Sequence, residues 1–96
     1  MKYQDIELID NKKAHSFELT IDEQRSFIDY EQVNNTYYLL HTEVPQPQQG
    51  MGVAEAIVEK TLNYLDEHNY KMVPSCSYIQ VFLKRHPEWK KLVDEE

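Results

Sequence analysis

The stretch Thr36-Tyr37-Tyr38-Leu39-Leu40-His41-Thr42-Glu43-Val44 followed by Pro45-Gln46-Pro47-Gln48-Gln49-Gly50-Met51-Gly52 and then Val53-Ala54 changes backbone regime twice. Its first part is rich in β-branched and aromatic residues, which suit a pleated, half-buried surface and predict a strand. Side-chain alternation along that strand places Tyr38, Leu40, Thr42 and Val44 on one face and Leu39, His41 and Glu43 on the other. The middle part holds both glycines of the chain and two of its four prolines, too many for regular structure. After it, Val53, Ala54, Ile57, Val58, Thr61, Leu62 and Leu65 recur at helical spacing, with Glu55, Glu59, Lys60, Asn63 and Asp66 opposite them. A strand, a glycine-bearing loop and an amphipathic helix therefore follow one another directly.

Toward the N-terminus the pattern is that of strands. Phe17, Leu19 and Ile21 alternate with Ser16, Glu18 and Thr20, the period-2 signature of a strand with one buried face. A further strand runs from Arg25 to Val33, and an earlier one begins at Ile6-Glu7-Leu8. Asn11-Lys12-Lys13 and Asp22-Glu23 are polar breaks, and Asn34-Asn35 tolerates the positive φ angles of a tight hairpin. Together these predict an antiparallel meander of about four strands.

Toward the C-terminus, His68-Asn69 ends the helix and Lys71-Met72-Val73 reads as a short buried strand. Pro74-Ser75-Cys76-Ser77 opens a second helix through Tyr78, Ile79, Val81, Phe82 and Leu83, with Ser75 or Ser77 as its expected cap. Pro87 should stop that helix before His86 and open a short terminal turn in which Trp89 anchors against the body. The resulting class is α+β: the meander, then helix, strand and C-terminal helix, in a single domain over residues 1–96.

Composition narrows the function. The net charge is −7, with ten basic against seventeen acidic residues, and binding of a nucleic-acid backbone needs clustered cations. An acidic surface either steers cationic or amine-bearing partners or serves solubility alone. No apolar run approaches the roughly 20 residues that span a bilayer, so no membrane partner is expected. One cysteine, Cys76, cannot form an internal disulfide, which fits a reducing cytoplasm. No metal site is expected, because no pair among the histidines and Cys76 has metal-ligand spacing.

The loop before the first helix is the leading site. A helix N-terminus presents unpaired backbone N–H groups and partial positive charge, which together bind phosphate. Gly50 and Gly52 permit close backbone approach and angles closed to other residues, and Gln48 and Gln49 add side-chain donors. Cys76, at the start of the second helix, is either a thiol that the helix dipole favours as nucleophilic thiolate or a small buried hydrophobe. His41, on the strand entering the loop, is a candidate general base for an incoming amine or for Cys76. Tyr78 and Phe82, one turn apart, pair either around a ligand or within the core.

His41-Thr42-Glu43-Val44-Pro45, Gln49-Gly50-Met51-Gly52-Val53-Ala54 and Ser75-Cys76-Ser77-Tyr78, in this order and spacing, resemble the short single-domain branch of the GNAT acetyltransferase superfamily. The resemblance runs from about Tyr38 to Trp89. It implies acetyl-CoA as the cofactor and transfer of acetyl to an amine on a small molecule or protein; separately, an exposed sheet edge leaves either a monomer or a weak homodimer open. The resemblance also implies Val44, Gln48, Gln49, Gly50, Met51, Gly52, Val53, Ala54, Ser75, Cys76 and Tyr78 as coenzyme contacts, with His41 and Cys76 as the catalytic candidates. Gln49 stands where relatives often carry arginine, and glutamine lacks the charge-assisted grip of a guanidinium on phosphate. The rival expectation is a CoA-binding or protein-interaction module without turnover.

Overall fold

The computed structural model describes residues 3–94. Its five strands, β1 (Ile9–Asn11), β2 (Ser16–Ile21), β3 (Gln24–Val33), β4 (Thr36–Glu43) and β5 (Lys71–Pro74), form one sheet in the order β1-β2-β3-β4-β5. The first four pair antiparallel, and β5 joins β4 in parallel after the crossover helix α1 (Val53–Glu67). The second helix, α2 (Ser77–Arg85), leads into a 3₁₀ segment over Pro87–Leu92. Meander, helix, strand and helix thus match the α+β plan read from the sequence.

The hairpin turns follow local chemistry. Asp22 and Glu23 take φ of 50° and 66°, the left-handed pair that suits the twist of the flanking strands, and in the second two-residue loop Asn34 takes 56°. The first strand begins at Ile9 and not at Ile6, because Ile6 N–H closes a turn onto the Tyr3 carbonyl while Ile6 and Leu8 pack against the core edge.

One face of the sheet is covered. Phe17, Leu19, Ile28, Tyr37 and Leu39 are fully buried against Ile57, Val58, Leu62 and Leu65 of α1. In α1 the buried stripe takes Ala56 where the helical spacing had pointed to Ala54. Ile79, Phe82 and Leu83 of α2 and Leu92 complete the same core, while Trp89 is half-buried against it. On the opposite face Arg25, Glu31, Val33, His41 and Glu43 are exposed, with Phe27 and Asp29 partly so. That solvated face is available to an antiparallel meander, whose strands need only one apolar side.

The alternation expected along β4 is interrupted. Tyr30 pairs with Leu39 but its neighbour Asp29 pairs with His41, which leaves Leu40 as the extra residue of a β-bulge. The bulge shifts side-chain parity. Tyr37 and Leu39 point into the core before it, Thr42 beyond it pairs with inward Ile28, and His41 and Glu43 turn to the open face beside Asp29 and Phe27. Tyr38 and Thr42 therefore lie on different faces, against the sequence-based expectation.

Polar contacts at the far end of the sheet tie β1 to the core. Asp10 accepts hydrogen bonds from Tyr30 (2.6 Å) and Tyr64 (3.3 Å) and pairs with Lys12 at 3.2 Å. Burial, then the Asp10 bond, push the Tyr30 phenol well above its ordinary value, so it stays a neutral donor. Asp10→Ala would strand this hydroxyl in the core and should cost about 1–3 kcal/mol in urea unfolding. Tyr30→Phe made on top should add less than it does alone, because the two share one bond.

Candidate functional site

β4 and β5 stay paired only from Thr36–Lys71 to Leu39–Pro74. Pro74 has no N–H with which to extend a ladder, and Ser75 N–H turns back to the Val73 carbonyl at 3.0 Å. The bulge at Leu40 bends β4 at the same level. The strands therefore part, and past Leu39 the β4 edge on that side has no strand partner.

The loop leaving β4 fills the mouth of this gap. Pro45 starts a 3₁₀ turn over Gln46–Gln48, and both Gly50 and Gly52 have φ of 81°. A Cβ at either glycine would meet nothing within 4 Å, so backbone conformation and not crowding demands glycine here. Gly52 is the N-cap residue of α1, and with no side-chain cap the first helical bond runs from Ala56 N–H to the Gly52 carbonyl at 3.0 Å. The N–H groups of Gly52, Val53, Ala54 and Glu55 have no backbone acceptor among the described residues.

These groups border a hollow of about 290 Å³ walled by Val44, Gln48, Gln49, Gly50, Gly52, Val53, Ala54, Glu55 and Tyr78. Eight of the residues nominated from sequence meet there. Met51, Ser75 and Cys76 do not line it: Met51 is exposed, and the other two sit at the entry to α2. Glu55 lines it without having been anticipated, since helical spacing had placed that residue simply on the solvated face. Its carboxylate stands 3.8 Å from His86 Nε2.

The two glutamines are engaged within the protein. Gln48 is buried and donates from Nε2 to the Ile21 carbonyl at 2.7 Å, fastening the loop to the end of β2. Its Oε1 is buried without a partner among the described residues. Gln49 donates to the Val44 carbonyl at 3.2 Å. From across the chain, the Tyr3 hydroxyl donates to the Met51 carbonyl at 2.9 Å. The loop is thus held from three sides.

Tyr78 and Phe82 divide between the two roles foreseen for them. Phe82 packs in the core under the ring of His86, centroids 4.4 Å apart, while Tyr78 faces the hollow. Burial pushes the Tyr78 phenol up, the Glu55 carboxylate adds to this and Arg85 opposes it. The hydroxyl therefore lies in the fields of both groups.

Cys76, and neither serine, occupies the N-cap position of α2, with an extended backbone (φ −84°, ψ 128°). Its side chain is buried, and its Sγ lies 3.4 Å from Thr42 Oγ1. His41 is on the other face of β4, with Nε2 3.3 Å from Glu43 and its ring edge-on to Phe27. The bulge is the cause: it turns Thr42, and not His41, toward the sulfur. The structure does not bring His41 and Cys76 together. Among the described residues no group of three or more His, Cys, Asp or Glu side chains is arranged to hold a metal ion, and no helix is long and apolar enough to cross a membrane.

Residues 16–92 match the family model described as GCN5-related N-acetyltransferase. The chain belongs to this GNAT family. It is similar to Protein NATD1 of Xenopus tropicalis, with 30% identity over 80% of this chain and 73% of the relative. For Protein NATD1 of Mus musculus the identity is 31%, over 79% and 70% of the two chains. The fold also superposes on the solution NMR structure of a GCN5-like candidate N-acetyltransferase from Staphylococcus aureus, with a TM-score of 0.68. That match has 23% identity and covers 94% of this chain and 89% of that one.

The two glycines offer a direct check on this geometry. Gly50→Ala and Gly52→Ala should each lower stability by about 1–2 kcal/mol, the cost of a left-handed alanine, with no steric component. Equilibrium urea unfolding measures both. A much larger loss at either position would mean that the space around it is not open.

Proposed function

We propose that this protein is an acetyl-CoA-dependent N-acetyltransferase that binds the coenzyme pyrophosphate in the loop hollow and transfers acetyl to an amine. The observation that carries the reading is the run of unpartnered N–H groups at Gly52, Val53, Ala54 and Glu55 around one hollow, at the mouth of the gap between β4 and β5. Such N–H groups at the positive end of a 15-residue helix suit a diphosphate. The hollow also contains Glu55, whose charge opposes an anion. His86, when protonated, offsets that charge from 3.8 Å.

Acetyl-CoA supplies an acyl group already activated as a thioester. The protein's share is to hold it in the strand gap and to steady charge on the carbonyl oxygen as the amine attacks. Backbone N–H groups on the free edge of β4, beyond Leu39, are the donors in reach of that gap. The amine must arrive neutral, and we assign its deprotonation to His41, which Glu43 orients from 3.3 Å on the open face. Direct transfer fits this layout better than relay through Cys76, whose sulfur is buried against Thr42 and has no imidazole beside it.

A module that binds coenzyme without turnover is the second reading. Glu55 in the hollow and the internal engagement of Gln49 favour it, since both weaken the grip on phosphate. Single-turnover assays with acetyl-CoA and an amine separate the two. Cys76→Ser should retain transfer, His41→Ala should slow it about a hundredfold, and intact-mass analysis should find no acetyl on Cys76. A stable Cys76 adduct would reverse the order of mechanisms; binding with no acetyl release under any amine would select the module.

A further inference from the structure

A second, smaller hollow of about 100 Å³ adjoins the first and shares Glu55 and Tyr78 with it; Val81, Phe82, Arg85 and His86 close its other sides. Arg85 is exposed at the last turn of α2, and among the described residues its guanidinium makes no ion pair and no side-chain hydrogen bond. Lys13, Lys60, Lys84 and Lys90 likewise make no ion pair among the described residues, but of these unpaired cations only Arg85 lines a hollow that adjoins the start of α1. Tyr78, Phe82 and Arg85 rise along one face of α2 at helical spacing, so Arg85 stands one turn beyond the core side chain and on the same side as the Tyr78 hydroxyl.

Two adjoining anion sites call for a ligand with two anionic groups on one short scaffold. Coenzyme A has this: its diphosphate leaves the 5′ position and its third phosphate the 3′ position of a single ribose. We infer that the Arg85 hollow receives the 3′-phosphate of the coenzyme while the helix-start hollow holds the diphosphate, with Glu55 between them facing the ribose. The inference rests on the coenzyme reading above and adds to it a determinant of specificity. A guanidinium suits phosphate because it can present two N–H donors side by side. Glu55, shared by both hollows, is placed to accept a hydrogen bond from the ribose 2′-hydroxyl. That contact gives a use to a carboxylate that would otherwise only repel, and acidic side chains bind ribose hydroxyls in this way in dinucleotide sites. His86 lies between Glu55 and Glu88, with ring nitrogens 3.8 and 3.9 Å from their carboxylates.

Calorimetric titration of the full chain with CoA and with 3′-dephospho-CoA tests the assignment. The wild type should bind CoA about tenfold more tightly, the size of one charged hydrogen-bonded contact near solvent. Arg85→Gln should bind 3′-dephospho-CoA as the wild type does but lose the preference for CoA, and Arg85→Lys should recover part of it. Because Arg85 is exposed, these variants are expected to keep the wild-type circular dichroism and melting temperature. Equal affinity of the wild type for the two ligands, or an undiminished preference in Arg85→Gln, would overturn the 3′-phosphate assignment while leaving the diphosphate site standing. Failure of the wild type to bind either ligand would overturn both.

Discussion

The parting of β4 from β5 after the Leu39–Pro74 pair is the constraint on which the rest of this protein hangs. Two ordinary features impose it from opposite sides. A proline ends β5, so no further N–H is offered to the ladder, and an extra residue in β4 bends that strand away. The consequences run outward in order. The loop after β4 must leave at an angle, α1 begins at the resulting gap, and α2 enters from the other lip with Cys76 as its first cap. A sheet paired to its end would have left the helix start facing a closed edge.

Most of the architecture was legible in the sequence because it depends on short-range periodicity. Phe17, Leu19 and Ile21 alternate, the α1 stripe repeats at helical spacing, and the polar pairs at the hairpins are residues that accept a left-handed backbone. The failures share one physical cause, which is that tertiary pairing altered a local pattern. A single extra residue at Leu40 reversed which side chains of β4 face the core, and no feature of Leu39-Leu40-His41 reveals where a bulge will fall. The same slip separated His41 from Cys76. Glu55 looked like one more solvated helix residue because its role in the hollow depends on α2 packing beside the start of α1. Gln48 looked like a donor to ligand, yet the close approach of the Ile21 carbonyl engages it inside the protein. Asp10 carries no local signal; its function as the acceptor for Tyr30 and Tyr64 requires the fold to bring positions far apart in sequence together.

Charge is arranged unevenly with respect to this plan. The open face of the sheet carries Asp29, Glu31 and Glu43 around His41, with Arg25 farther along, whereas Arg85 and His86 stand with Glu55 and Glu88 at the ends of the helices near the loop. A cationic ligand would meet a largely acidic open face, whereas an anionic one at the loop would meet Arg85 with the Glu55 carboxylate beside it. Salt screens an attraction of either sign, so raising it weakens charged contacts on both faces alike.

The bond from Tyr3 to the Met51 carbonyl closes a ring of chain around most of the meander. Loop mobility is usually a matter of the loop's own glycines and prolines; here it is also set by how firmly a segment 48 positions earlier stays docked. The entropy of that long closure was already met when the sheet assembled, so the contact restrains the loop at small additional cost. Whatever is fused to, trimmed from or chemically attached at the front of this chain will therefore register in the stiffness of a loop it never touches in sequence.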